Sequence, residues 1–292
     1  MRILSVSKTA TLEYLAFSPD GSRVASASKR ANVRLWDSVS GKPITLKGTK
    51  DSRFVGFTTG PDELIVAVKY NTPPVLWDLR SKATRDIGPT PGYCWDTALS
   101  PDGARVVRVE PEVVCRDILD GRELWRAPCF QESGISTRVR FDKAGSRVYV
   151  VAARVAVLDA ETGKELKGFK LKFGKYKTLS TADVSPDGKW LATRNTDGLR
   201  VWDTTNGKLV FSNPSHSLGY GYALAFTPDG ARLAAGHYGG QRYIDFWHVG
   251  SWNLAESLDP GIGTVTALAF SRDGLLGAAG GFHGKVAVWD MT

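Results

Sequence analysis

Hydrophobic residues fall in short runs along this chain, and no run keeps a helical period for ten residues. The first of them set the pattern: Leu12-Glu-Tyr-Leu-Ala-Phe17, Arg23-Val-Ala-Ser-Ala27, Val33-Arg-Leu-Trp36 and Pro43-Ile-Thr-Leu46 are apolar or alternate apolar with polar residues, and each is bounded by turn residues. Alternation with a period of two buries one face of a strand, so these runs predict four short β-strands in succession. The turns between them are written twice over. FSPDG at 17–21 returns as LSPDG at 99–103, VSPDG at 184–188, FTPDG at 226–230 and FSRDG at 270–274. In such a turn Pro sets φ at the first corner, Asp bonds back to its own backbone and Gly accepts the positive φ that closes a hairpin. A second turn runs from an Asp to a Gly four residues on, at Asp37–Gly41, Asp117–Gly121, Asp159–Gly163 and Asp203–Gly207, with Lys or Arg next each time.

These marks recur in register. The residue before each S-P-D-G-like turn is Phe17, Phe57, Leu99, Phe141, Val184, Phe226 and Phe270, and a second series runs Trp36-Asp37, Trp77-Asp78, Arg116-Asp117, Leu158-Asp159, Trp202-Asp203, Trp247-His248 and Trp289-Asp290. Both series step by roughly 42 residues, which counts seven units of one four-stranded sheet each. The S-P-D-G turn, the third strand ending in Trp-Asp, the Gly-Lys after it and the period together resemble the WD40 repeat family over essentially the whole chain.

That resemblance implies an all-β, seven-bladed β-propeller over residues 1–292, a single domain whose blades are four-stranded and antiparallel and run outward from a central channel. The chain stops at Thr292, directly after a third strand, while Arg2 to Val6 is a spare strand at the other end. The N-terminal strand, residues 2–6, is therefore expected to complete the seventh blade and clasp the ring. The sequence departs from the family pattern in two places. Ser7-Lys8 and Gly48-Thr49 stand where a Gly-His pair is usual, and Arg30, Asn71 and His283 stand where an Asp is usual before the Trp. The His, Asp, Ser and Trp hydrogen-bond network of a family blade is thus expected to be absent, leaving packing and strand pairing to hold the blades.

Composition adds little to the fold and something to the partners. Hydrophobic residues at 42% and charged residues at 23% suit a folded chain, and 31 Gly and 14 Pro suit its many turns. The longest apolar run, Val148 to Ala153, is far short of the ~18 residues of a membrane helix, and the N-terminus lacks the apolar stretch of a secretory signal, so no membrane partner and a cytoplasmic location are expected. Three cysteines, Cys94, Cys115 and Cys129, form no complete disulfide set and no metal-ligand spacing. The net charge of +8 leaves an acidic protein patch or nucleic acid open as a partner; scattered basic residues that keep a monomer soluble are the plainer explanation.

Candidate chemistry is thin. No G-x-S-x-G elbow, phosphate-binding loop or H-E-x-x-H pair occurs, and the Gly pairs at 239–240 and 280–281 fall in turns. By register His216, His237 and His283 could share one face, which keeps a metal-dependent hydrolase as a third reading; His248 replaces a marker Asp. Lys164, Lys167, Lys170 and Lys172 fit an exposed outer strand, while Lys175 and Lys177 fall in a loop where they could meet an acidic partner.

In the family, partners dock at the channel mouth, formed by the loops before the first strand and after the second. The repeat register carries that implication onto Glu13, Arg53, Trp95, Thr137, Ser180, Tyr222 and Thr266 in one series, and onto Lys29, Tyr70, Asn195 and Phe282 with Glu110 and Tyr238 in the other. Aromatic rings beside Arg53, Lys29 and Lys8 have the composition of an interaction hot spot. The partner-binding set expected is Lys29, Arg53, Tyr70, Trp95, Asn195, Tyr222, Tyr238 and Phe282. The leading function is a non-catalytic scaffold that binds a protein or peptide, an acidic one included, with no cofactor; a nucleic-acid-binding propeller is the alternative.

Overall fold

A computed structural model describes residues 1–58, 63–68, 72–89, 94–130, 136–172, 178–214, 223–237 and 244–291. Among these residues there is no α-helix, and 28 strands make seven four-stranded antiparallel sheets. In chain order, the first sheet holds β2 (Thr11–Phe17), β3 (Arg23–Lys29), β4 (Arg34–Asp37) and β5 (Pro43–Thr45). The second holds β6 (Ser52–Phe57), β7 (Glu63–Val68), β8 (Pro74–Asp78) and β9 (Thr84–Asp86). The third holds β10 (Asp96–Leu99), β11 (Arg105–Val109), β12 (Glu112–Asp117) and β13 (Glu123–Pro128), and the fourth β14 (Arg138–Phe141), β15 (Arg147–Val151), β16 (Arg154–Asp159) and β17 (Glu165–Lys170). The fifth holds β18 (Thr181–Val184), β19 (Trp190–Asn195), β20 (Gly198–Asp203) and β21 (Leu209–Asn213), and the sixth β22 (Leu224–Phe226), β23 (Arg232–Gly236), β24 (Ile244–His248) and β25 (Leu254–Leu258).

The seventh sheet is built from both chain ends. Its order is β1 (Arg2–Ser5), β28 (Lys285–Asp290), β27 (Leu276–Gly281) and β26 (Val265–Phe270). β1 runs antiparallel to β28 with Arg2 opposite Val288 and Ser5 opposite Lys285, which is the place the spare N-terminal strand was expected to take. Val6 continues the pairing by donating its amide to Gly284 O at 2.7 Å.

Two compact units are present. One comprises residues 1–86 and 222–292, with the first, second, sixth and seventh sheets; the other comprises 87–221, with the third, fourth and fifth. Within each unit neighbouring sheets share a core. Trp36 of the first sheet packs with Leu4, Ala278, Val286 and Val288 of the seventh, and Trp289 packs with Ile244 and Phe246 of the sixth. In the other unit Trp202 packs with Tyr149, Val151 and Val157 of the fourth sheet. The marker tryptophans thus lie between sheets, as their regular spacing implied.

The repeated turns work through side-chain hydrogen bonds. In the first, Ser18 Oγ donates to Asp20 Oδ1 at 2.6 Å and accepts the Arg23 amide at 2.9 Å, while Gly21 donates its amide to Ser18 O. The same bonds recur at Ser185, Thr227 and Ser271. In the fourth sheet Asp142 stands in the Ser position and its carboxylate takes the Ser146 and Arg147 amides directly. In the second kind of turn the marker Asp caps the loop; Asp37 Oδ1 accepts the amides of Val39 and Ser40, and Asp203 Oδ1 accepts the amide and hydroxyl of Thr205. The glycine of this turn has a left-handed backbone, and two sheets manage without it: Lys82 and Trp252 occupy the equivalent positions at φ 60° and 57°.

One expectation needs correcting. The blade network of hydroxyl and indole is not wholly lost, because Trp202 Nε1 donates to Thr193 Oγ1 at 2.9 Å inside the fifth sheet. Thr193 lies two residues beyond the partner of the tryptophan on the neighbouring strand. Ser26 holds that register in the first sheet, yet its hydroxyl is buried with no bond made.

Two stability predictions follow from the turns. A Cβ on Gly163, at φ 71°, would come within 2.6 Å of the Trp125 ring, whereas one on Gly250, at φ 94°, meets nothing within 4 Å. Gly163→Ala should therefore lower unfolding free energy by more than ~2 kcal/mol and Gly250→Ala by about 1 kcal/mol, measured by urea titration. The second concerns acid. Hydrogen bonds from the Ser271 hydroxyl and the Leu275 amide hold the Asp273 carboxyl below its ordinary value of 3.8, and those from Thr205 and Asn206 do the same for Asp203 against a small opposing push from burial. For Asp20 burial pushes the carboxyl up, and the bonds from Ser18 and Ser22 together outweigh it. A depressed folded pKa stabilises the fold fully above the unfolded value and is lost as pH falls through the folded one. Stability should thus decline as pH falls below about 4, and an Asp203→Asn/Asp273→Asn variant should show a shallower decline in its urea midpoint.

Candidate functional site

Strand irregularity marks one rim of the first unit. β2, β6 and β26 each slip by one residue in register, and the residues passed over are Glu13, Arg53 and Thr266. These are members of the series assigned to the mouth. A bulge redirects a side chain out of the pleat, and here the three residues meet different fates. Arg53 Nε stands 3.9 Å from Glu13 Oε2, with its side chain 45% exposed. Thr266 is buried and donates its hydroxyl to Leu12 O at 2.6 Å, tying the seventh sheet to the first.

Lys29 and Phe282 come to the same rim. Thr11 opens β2 opposite Lys29, the last residue of β3, and also forms an antiparallel bridge with Phe282. Lys29 is exposed and Phe282 half-buried. Gly284, just beyond, is crossed so closely by the chain that a Cβ would lie 2.1 Å from Ser7 O.

In the second unit, Trp95 precedes β10 and is half-buried against the core of the third and fourth sheets. Its backbone is held from two sides. Trp95 donates its amide to Val109 O, and its carbonyl accepts Arg138 Nη1 at 3.4 Å. The same guanidinium donates twice to Ser180 O, at 3.0 and 2.6 Å, so one arginine joins the starts of three successive inner strands. Arg140 and the Val139 amide meet Asp96 Oδ2 beside it. Arg138 was not foreseen, because its partners lie 42 and 43 residues away and nothing local marks them.

Asn195 differs from the expectation. It is buried, with Oδ1 taking the Asp197 amide at 3.0 Å and Arg200 Nη1 at 3.1 Å, and its Nδ2 is buried without a partner. It braces the β19–β20 turn instead of facing outward. Glu110 is likewise buried, 3.5 Å from Arg108 Nη1. Tyr70, Tyr222 and Tyr238, and with them Lys175, Lys177 and His216, lie outside the described residues.

The remaining histidines are placed as follows. His237 Nε2 lies 2.8 Å from Asp245 Oδ2, and Ser257 Oγ donates to the other oxygen of that carboxylate at 2.5 Å. The carboxylate sits between the two, so the serine hydroxyl meets a carboxylate and no imidazole, unlike the order in which a nucleophile is activated. His283 is exposed in the β27–β28 turn and His248 is exposed at the end of β24. Among the described residues no group of three or more His, Cys, Asp and Glu could hold a metal. Burial pushes the Cys115 thiol up to about 12 and raises that of Cys94, which makes neither a ready nucleophile.

Two stretches, residues 3–37 and 258–290, match the family model described as WD40: WD domain, G-beta repeat. Telomerase protein component 1 of Mus musculus is 31% identical over 122 residues, which is 41% of this chain and 4% of that protein. Uncharacterized WD repeat-containing protein sll1491 of Synechocystis sp. is 27% identical over 146 residues, 48% of this chain and 40% of its own length. Small ribosomal subunit protein RACK1 of Brassica napus is 31% identical over 133 residues, 39% of each chain. The chain spans less than half the length of these relatives.

The Arg138 contacts make a prediction. Arg138→Ala leaves two backbone carbonyls without their charged donor and should cost about 2 kcal/mol of stability. Arg138→Lys should recover little of it, since one ammonium cannot serve both carbonyls; urea titration of the two variants checks this.

Proposed function

The chain belongs to the WD40 repeat family, and from that premise we propose that it is a non-catalytic scaffold that binds a protein or peptide segment at the mouth of a seven-bladed ring. WD-repeat propellers generally act as protein-interaction scaffolds. The ring is part of the proposal: its seven blades are the seven four-stranded sheets, the last completed by β1 beside β28. The observation that carries the reading is that, among the described residues, the rim side chains are either bonded within the fold or open to contact. Thr266, Asn195, Glu110 and Arg138 are committed to bonds within the fold, while Lys29 and Arg53 are exposed and Phe282 and Trp95 offer half-buried rings. In the first unit, exposed Lys29 and Arg53 with the half-buried Phe282 ring form a docking surface whose held backbone loses little entropy on binding. A monomer in the cytoplasm completes the proposal.

A nucleic-acid partner is the second reading, favoured by the net charge of +8. It requires affinity for single strands that falls steeply with salt. Cross-linking of native extract followed by mass spectrometry should recover a protein partner with the wild type. The Trp95→Ala/Arg53→Ala variant should lose that partner by at least about thirtyfold, the scale of a single hot-spot truncation, with circular dichroism unchanged. Undiminished capture by the folded variant counts against the mouth.

A further inference from the structure

The positive charge of this protein is concentrated at one place. Residues 1–53 contain ten Lys and Arg against four Asp and Glu, so they account for six of the eight net charges of the whole chain. The fold then sorts the cations more than the acids, which stand two at each end of the first sheet. Asp20 and Asp37 cap the β2–β3 and β4–β5 turns, at one end of the first sheet. The β3–β4 turn, the connectors entering β2 and β6 and the strand ends beside them lie at the other end, and they carry Lys8, Lys29, Arg30, Lys47, Lys50 and Arg53, all exposed. The two acids at that end are engaged: Asp51 Oδ1 accepts the Arg30 amide at 2.7 Å, and Glu13 faces Arg53.

This cationic edge is held in shape. Thr49 Oγ1 accepts the Val33 amide and donates to Leu46 O, Ser52 Oγ donates to Thr49 O, and Asp51 returns its amide to Ala31 O. The connector bearing Lys47 and Lys50 is thus bolted to the turn bearing Lys29 and Arg30. Five non-glycine residues among those described have positive φ; Lys82 and Trp252 belong to the Asp-to-Gly kind of turn, and the other three, Arg30, Asp51 and His283, all lie at this end of the first and seventh sheets or the connector between the first and second. Strained backbone of this sort persists where the surroundings hold it, and it gathers at functional edges.

We propose that this edge, formed by Lys8, Lys29, Arg30, Lys47, Lys50 and Arg53, is the docking site for an extended, Asp- and Glu-rich segment of a partner protein. The proposal rests on the scaffold reading above and names the chemistry of its partner. Four of the six cations are lysines, compact hydrated charges suited to a row of carboxylates; a phosphate cradle favours the planar fork of arginine. A single-strand site interleaves its cations with stacking rings, and among the described residues Phe282, half-buried, is the aromatic that reaches Thr11 at this edge. Charge complementarity favours a flexible acidic segment.

Fluorescence anisotropy of the full chain with three labelled probes tests this: a short Glu-rich peptide, its Gln counterpart and a single-stranded RNA of similar length. The Glu peptide should bind at ~50 mM salt, weaken by ~200 mM and exceed the Gln peptide by about tenfold. Lys29→Ala/Lys47→Ala/Lys50→Ala should lose that binding about tenfold, while Lys164→Ala/Lys167→Ala/Lys170→Ala, of equal charge change on β17 and the turn residue before it, should keep it. Equal losses in both triple variants, no discrimination between Glu and Gln, or RNA bound more tightly through the same lysines would overturn the proposal. Should the first triple variant fail to fold by circular dichroism, Lys50→Glu alone carries the comparison. Trp95→Ala separates the two readings: undiminished capture of the native partner defeats the mouth while leaving the Glu-peptide result standing, and the reverse pattern defeats this edge alone.

Discussion

A missing Cβ is the constraint on which this molecule rests. The Asp-to-Gly turn leaves a bare backbone face, and at Gly41, Gly163 and Gly207 a large side chain of the preceding sheet lies against it, while at Gly121 the backbone of Ile87 and Gly88 does. Trp125 of the third sheet covers Gly163 of the fourth, with Nε1 donating to Ala160 O at 3.0 Å, and Phe169 of the fourth covers Gly207 of the fifth. In the first unit Leu4 and Arg2 reach Gly41 of the first sheet from the seventh. Here β1 takes the part that an outer strand such as β13 or β17 takes elsewhere. The turn is a local necessity of the hairpin, and the same glycine becomes the socket for the next sheet. A hairpin rule and a packing rule are thereby met by one residue at Gly41, Gly163 and Gly207.

The two ends of a sheet consequently have different freedoms. At the end bearing the hairpin turns, Ser, Asp and Gly are all spent on internal hydrogen bonds and on sockets, and variation there is met by exact substitutes, such as Asp142 for Ser or Lys82 in a glycine's conformation. At the other end the sheets are joined by longer connectors whose bonds differ from sheet to sheet. A threonine hydroxyl clamps one in the first sheet, an arginine spans three strands in the second unit, and a His and carboxylate pair stiffens the sixth. Sequence variation accumulates at this second end because no shared socket forbids it.

That difference also explains what could be foreseen from residues alone. Turns and strands are set by neighbours within five positions, so S-P-D-G, the Asp-to-Gly spacing and the alternation of β2 and β3 were legible, and periodicity extended them to seven sheets. The place of Arg53 followed from register, although its bulge did not. What escaped prediction depends on partners far along the chain. Asn195 looked like a surface residue by register, yet the Arg200 guanidinium and the Asp197 amide draw its side chain inward. Arg138 has partners more than forty positions away, and the Trp202 to Thr193 bond survives although the other members of its network are gone. The concentration of charge was present in the composition but invisible in a total taken over 292 residues; it required knowing which ends of the strands lie together.

Rigidity and charge then bear on one another. Six cations held close together repel, and a free loop would relieve that repulsion by spreading. Here the connector cannot spread, because Thr49, Ser52 and Asp51 fix its backbone to the neighbouring turn with bonds of 2.6 to 3.3 Å. The repulsion is therefore retained in the folded state, and an anionic segment laid across the edge relieves it without reorganising the protein. The stiffness against which that relief is realised comes from the bonds of Thr49, Ser52 and Asp51 at the edge itself.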